Sequence, residues 1–265
     1  MSYMNALDLD ELIGFASDLA DQARPLVLNY FRRPLCVDNK ADASPVTVAD
    51  RETEGVLRTL IRERFPDHGL LGEEHGCEDT DSRYTWVIDP IDGTKSFISG
   101  MPTFGTLIAL LAGGRPMLGV LDMPALSERW LGASGRVTLM NGSACRSRRC
   151  ERLQEALLFA TSIDMFNSET RQGFDEVSSR ARFRRFGADC YAYGLLASGF
   201  VDLVIEADLQ PYDYLPLINV IEGAGARISD WEGKPLGLNS DGRVVAAATL
   251  ALHEQALNIL RKSLG

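Results

Sequence analysis

Along the first thirty positions apolar residues recur at intervals of three and four. Leu12, Phe15, Ala16, Leu19 and Ala23 fall on one stripe of a helix that begins near Asp8. Asp8, Asp10 and Glu11 suit its N-terminal end, where free backbone N–H groups favour negative charge. Pro25 is expected to kink this helix or end its first part, because it lacks an N–H and crowds the preceding turn. A second stripe, Val56, Leu57, Leu60 and Ile61, predicts a helix from about Thr47 to Phe65 that Pro66 closes. Between the two, Asp38 to Pro45 reads as a polar loop. Past Asp67-His68-Gly69 the apolar runs shorten to Trp86–Ile88, Thr106–Ala112 and Met117–Leu121. Gly113-Gly114 and Asn141-Gly142 are turn signals, and the runs read as strands of one sheet.

The second half alternates again. It predicts a strand at Ala156 to Thr161, a helix at Tyr191 to Ser198 and a strand at Val201 to Ile205. A helix at Leu215 to Ala224, a strand near Val244 to Ala248 and a last helix from Leu250 to Lys262 follow. Alternating elements of both kinds predict an α/β (α+β) layered sandwich of helices and sheets. No internal repeat, low-complexity tract or linker interrupts the 265 residues, which read as a single domain of two packed halves, roughly 1–140 and 141–265.

Composition narrows the class without naming a function. At 45% hydrophobic and 24% charged, the chain has enough apolar material for a substantial core and none of the signature of disorder. A net charge of −10 would repel a nucleic-acid backbone, so no nucleic-acid partner is expected. The basic stretches Arg146 to Arg152 and Arg180 to Arg185 read as solvated faces or oligomer surfaces. Five cysteines without C-x-x-C spacing indicate neither a disulfide framework nor a zinc knuckle. With an acidic N-terminal region and no apolar run long enough for a bilayer, a cytoplasmic protein without a membrane partner is expected.

Candidate chemistry lies in four acidic segments. In Trp86 to Thr94 an apolar strand ends in Asp89-Pro90-Ile91-Asp92-Gly93-Thr94, where two carboxylates three residues apart can converge on one point. Gly93 permits a tight turn and close approach of the backbone to a ligand. Hard oxygen ligands of this kind suit Mg²⁺, yet the same residues are compatible with an Asp-Pro turn in which Thr94 or Ser96 caps a following helix. Gly72-Glu73-Glu74-His75-Gly76 is a short acidic loop that, taken alone, equally suits a solvated turn. Asp213, among Pro211, Tyr212 and Tyr214, and the pair Thr47 and Asp50 both suit helix capping as well as chemistry.

Taken in order, Gly72-Glu73-Glu74, Asp89-Pro90-Ile91-Asp92-Gly93-Thr94 and the late Asp213 resemble the three signature segments of the inositol monophosphatase family, over most of the chain from the Thr47 helix to about Gly233. Thr94-Lys95-Ser96-Phe97, Pro102 to Leu107, Gly187 to Gly194 and Gln210 to Tyr214 look like the family's histidinol-phosphate phosphatase branch. Lys95-Ser96 and Tyr212 depart from the pattern usual in inositol phosphatases.

The resemblance implies an inositol monophosphatase-like fold and a Mg²⁺-dependent phosphatase, with histidinol phosphate as the expected substrate and a homodimer as the expected assembly. It implies that Glu73, Asp89 and the backbone carbonyl of Ile91 hold one Mg²⁺, that Asp89, Asp92 and Asp213 hold a second, and that Glu73 helps with a third. Thr94, backed by Thr47 or Asp50, would orient or deprotonate the attacking water, Glu73 would serve the same catalytic centre, and Asp92, Asp213 and the amides of Gly93 and Thr94 would face the phosphate ester. Asp189 and Glu206 are the candidates for substrate choice, because an anionic pocket would complement the ammonium and imidazole of histidinol phosphate. As helix N-cap and strand-end surface acid, respectively, they also have ordinary readings. Lys40 is a further candidate near the metals. The three histidines, His68, His75 and His253, lack the helical spacing of paired zinc ligands.

Overall fold

A computed structural model describes residues 8–34, 37–39, 45–79 and 81–263. The chain opens with α1 (Leu9–Tyr30), pairs β1 (Val37–Asn39) with β2 (Pro45–Thr47), and enters α2 (Val48–Arg64). Next come β3 (Gly69–Gly72), β4 (Gly76–Glu78), β5 (Tyr84–Asp92) and the short α3 (Thr94–Ile98). A meander follows: β6 (Gly105–Ala112), β7 (Arg115–Met123), β8 (Glu128–Ala133), β9 (Leu139–Met140) and β10 (Ser143–Ala144). The rest alternates through β11 (Leu157–Ala160), α4 (Ser168–Arg180), β12 (Phe183–Phe186), α5 (Tyr191–Ala197), β13 (Leu203–Glu206), α6 (Pro211–Gly223), β14 (Arg227–Asp230), β15 (Val244–Ala247) and α7 (Leu250–Ser263).

Two sheets organise these elements. One has eight strands in the order β10-β9-β8-β7-β6-β5-β3-β4, and the other has five in the order β12-β11-β13-β15-β14. Period-two alternation sends each strand's side chains to both faces, and both faces are covered. Trp86, Ile88, Ile108 and Leu110 pack against α1 and α2, while Val87, Leu107, Ala109 and Leu111 point the other way, toward α5 and α6. Val204, Val244 and Ala246 of the second sheet close that middle layer, and Leu203, Ile205 and Val245 face α4 and α7. The layers therefore run helix, sheet, helix, sheet, helix, the layered α/β sandwich that the pattern predicts. No helix among the described residues is long and apolar enough to cross a membrane.

Several boundaries differ from expectation for local reasons. α1 runs unbroken through Pro25. Both Pro25 and Asp21, whose carbonyl loses a helical donor to the proline, are exposed, so water can serve that carbonyl. The expected loop at 38–45 contributes strand residues at both ends, while residues 40–44, Lys40 among them, lie outside the described residues, as does Cys36. α2 leaves Val56 exposed and buries Asp50, Thr53, Glu54 and Arg58 beside Leu57 and Ile61. α6 begins one turn early, because Pro211 presets the first helical φ and Asp213 accepts the Gln210 amide at 2.7 Å. α4 carries too few apolar residues for its period to show.

The basic stretches are surface features. Arg148 pairs with buried Asp202, and Arg149, Arg152 and Arg180 pair with Glu151, Glu155 and Glu176. Arg184 and Arg185 lie on the exposed edge strand β12.

Candidate active site

A break in strand pairing builds the site. Side chains three apart on a regular strand point to opposite faces. On β5 the register slips: Asp89 faces Leu107 and Asp92 faces Gly105, so Pro90 and Ile91 lie opposite Thr106 alone. Such a bulge re-aims side chains. The Thr106 hydroxyl anchors the extra segment by donating to the Pro90 carbonyl at 2.8 Å. Asp89 and Asp92 thereby meet Asp213 from the first turn of α6, and one ligand atom from each lies within 4.8 Å of the others. Asp89 is 1% exposed and the other two are half-buried.

Electrostatics show the cost of this gathering. Burial, and then the charges of Glu73, Asp92 and Asp213, push the Asp89 carboxyl well above the ordinary range. Asp213 is raised in the same way by burial and Asp92, and Asp92 is pushed up to about 7 by burial and Asp189. Among the described residues no Lys or Arg forms an ion pair with these three. Glu73 stands beside Asp89, close enough to act by charge and by hydrogen bonding. Its amide donates to the Ile88 carbonyl at 3.3 Å, so the β3–β4 turn is fastened to the strand that carries Asp89.

The neighbouring segments fall as follows. Thr94 donates its hydroxyl to the Ile91 carbonyl at 3.2 Å. Gly93, at φ +84°, starts α3 without a side-chain cap, so neither Thr94 nor Ser96 is spent on capping. Thr47 and Asp50 do form a capping box, with the Thr47 hydroxyl 2.5 Å from Asp50 Oδ2. Among the described residues that pair shares no hydrogen bond with Thr94. Asp50 Oδ1 is buried and accepts no hydrogen bond, and burial first, with Glu73 adding to it, raises the Asp50 carboxyl.

Neither of the ordinary readings of the specificity acids describes their placement. Asp189, at φ +47°, caps no helix; its Oδ2 accepts the Ser96 hydroxyl at 2.5 Å and the Thr103 hydroxyl at 3.4 Å. Glu206 is 2% exposed. Its Oε1 accepts the Thr161 amide and hydroxyl at 2.9 and 2.6 Å, and its Oε2 accepts the Tyr193 hydroxyl at 2.8 Å. Cys190, next to Asp189 in the chain, donates its amide to Asp92 Oδ2 at 2.8 Å. Asp92, Asp189, Glu206 and Asp213 line one recess of about 70 Å³ together with Thr161 and Tyr193. A larger groove of about 850 Å³, bordered by α7 and β14, contains none of these acids. Ser96, Thr103, Thr161 and Tyr193 gave no signal as partners in the sequence, since each acts across 13 to 93 positions of chain.

The donor set suits a hard divalent cation. It is all oxygen, among the described residues no Lys or Arg forms an ion pair with it, and the unsatisfied carboxylate of Asp50 is close enough to feel the charge of Glu73. His68 accepts from the Trp86 indole and His253 faces Ser229, so neither imidazole lines the recess.

Comparisons with known proteins identify the family. The model of the inositol monophosphatase family matches residues 8–264. The "bifunctional phosphatase IMPL2, chloroplastic" of Arabidopsis thaliana is 44% identical over 98% of this chain and 78% of its own length. A histidinol-phosphatase of Chlorobaculum parvum is 36% identical over 87% of this chain and 90% of its own, and one of Mycobacterium tuberculosis is 35% identical over 95% and 98%. Among solved structures, an inositol monophosphatase from Zymomonas mobilis superposes with a TM-score of 0.88 at 42% identity, covering 97% of this chain and all of that one. With the family match running from α1 through α7 and the acids of three segments gathered in one place, the chain belongs to the inositol monophosphatase family.

Proposed function

We propose that this protein is a Mg²⁺-dependent phosphatase that hydrolyses L-histidinol phosphate to L-histidinol and phosphate. The observation that carries the substrate is the placement of Asp189. It shares the recess with Asp92 and Asp213, its Oδ2 is held by Ser96 and Thr103, and its Oδ1 accepts no hydrogen bond among the described residues. A carboxylate fixed beside a phosphate site suits a phosphate ester that also carries a cation. Glu206 adds negative charge, but three hydrogen bonds already hold it, so Asp189 is the main partner.

Asp89, Asp92, Asp213, Glu73 and the Ile91 carbonyl would hold the Mg²⁺ ions, two or three in number. When bound, they supply charge neutralisation for the phosphate oxygens and acidify water. The chain's own contribution is positional. The uncapped start of α3 offers the amides of Gly93 and Thr94 to the phosphate. The Thr94 hydroxyl, which donates to the Ile91 carbonyl, would orient the attacking water, and Asp50, whose Oδ1 has no partner of its own, would take up its proton. Water oxygen bonds to phosphorus as the ester oxygen leaves, and the alkoxide takes back one proton, so the residues end unchanged. A homodimer would cover the edge strand β12, which exposes Phe183 and Phe186.

The test is phosphate release with Mg²⁺, and with EDTA, from histidinol phosphate, inositol monophosphate, a sugar phosphate and a nucleoside monophosphate. Preference for histidinol phosphate is expected. A clear preference for inositol monophosphate would replace it with the second reading, which the Zymomonas structure favours. Asp189→Asn should lower kcat/KM for histidinol phosphate about 10- to 100-fold, the worth of a hydrogen bond between charged groups. Its effect on inositol monophosphate should be slight; equal losses on both substrates would deny Asp189 a part in substrate choice.

A further inference from the structure

One buried ion pair lies outside the cluster and touches the loop that carries Glu73. Asp50, Glu54 and Arg58 follow one another at four-residue intervals on α2 and so share a face. Glu54 is fully buried. Its Oε2 accepts the Glu74 amide at 2.7 Å, and its Oε1 accepts the His75 amide at 3.2 Å and Arg58 Nε at 2.7 Å. Arg58 in turn reaches Glu78 at 2.9 Å and donates to the Gly76 carbonyl. The fit is close enough that a β-carbon on Gly72 would come within 2.1 Å of Glu54 Oε1.

A buried ion pair is a poor device for stability alone, since apolar side chains of similar volume often replace one without loss. Among the described residues three N–H donors offset the desolvation of Glu54, with the His75 imidazole a further 3.4 Å neighbour, and two of those donors are amides of the residues directly after Glu73. On its other side, the Glu73 amide is bound to the Ile88 carbonyl, one residue before Asp89. The backbone of Glu73 is thus fixed from both directions, toward the cluster by β5 and toward the helix layer by Glu54.

We propose that Glu54, with Arg58 as its counter-ion, is a positioning residue that sets the Glu73 carboxylate against Asp89 and thereby sets the affinity for Mg²⁺. The inference rests on the reading of Glu73 as a metal ligand. Glu54 belongs to neither the three-acid cluster nor the recess, and it acts by holding the Glu74 and His75 amides.

Three measurements on the full chain test it. In Mg²⁺-free wild-type protein the Glu74 and His75 amides should be protected from hydrogen exchange; free exchange of both would overturn the proposal without any variant. Glu54→Gln, which turns an N–H₂ group toward one of the three donors, should weaken Mg²⁺ binding measured calorimetrically about 10- to 100-fold, the usual penalty for losing a partner behind a metal ligand. At saturating Mg²⁺ its KM for the phosphate ester should match the wild type. Arg62→Ala removes the exposed pairs to Glu78 and Asp79 on the same hairpin, and its Mg²⁺ affinity should be unchanged. If Glu54→Gln binds Mg²⁺ as the wild type does, or if Arg62→Ala weakens binding equally, Glu54 has no positioning role. A wild-type protein that binds no Mg²⁺ would instead overturn the proposed function, and this inference with it.

Discussion

Asp92→Asn is expected to remove about a thousandfold or more of phosphatase turnover, about 4 kcal/mol of barrier, while leaving the metal-free protein as stable as before or more so. The two halves of this result have one cause. Asp92 is at once a member of the three-acid cluster and a wall of the recess, so its charge serves both metal and ester. In the metal-free protein that same charge is a liability, because burial and Asp189 already oppose its ionisation. Asparagine keeps an oxygen for the Cys190 amide and relieves the repulsion. Phosphate release and thermal unfolding in EDTA read the two halves separately. A protein in which the acids merely hold a structural cation would instead lose stability when that cation is present, and would have no turnover to lose.

Mg²⁺ is expected to raise the melting temperature, and to raise it more at pH 8 than at pH 5.5. Asp89, Asp92 and Asp213 all titrate above their unfolded value of about 4, Asp92 at about 7. Over that window the folded metal-free protein binds more protons than the unfolded chain. Its stability from these groups is therefore complete below about pH 4 and is lost as pH rises through the folded values. A divalent cation supplies the missing positive charge and competes with protons for the same oxygens, so it stabilises most where the acids are ionised. At a hundredfold excess over Kd the gain is about 2.7 kcal/mol, roughly 5–10 °C for a chain of this size. Scanning calorimetry with Mg²⁺ or EDTA across this pH range decides it. A larger shift at pH 5.5 would show that ionised carboxylates are not what the metal meets.

How much of this was readable in the residues depended on how local each signal is. The β5 acids, Glu73 and Asp213 stood out because short contiguous segments carry them, and the sheet strands because both their faces are apolar. α4 escaped notice because Phe174 and Val177 are nearly all the apolar surface it buries. The start of α6 was misplaced because a proline at the first helical position looks like a break. On α2 the apolar stripe marks the buried face through Leu57, Leu60 and Ile61 but not its extent, because Asp50, Glu54 and Arg58 share that face while Val56 is exposed. Ser96, Thr103, Thr161, Tyr193 and Glu54 act on partners 13 to 93 positions away in the chain, and nothing in their immediate neighbours marks them.

The slipped register of β5 makes the acids tenants of the strand next door. Gly105 and Leu107 of β6 carry no chemistry, yet they determine which way Asp92 and Asp89 look. Substitutions on β6 that restore regular pairing would turn one acid out of the cluster without altering a single acid. In this fold, then, the apolar neighbours of the acids are a route by which activity can be lost or retuned while every metal-binding residue stays in the sequence.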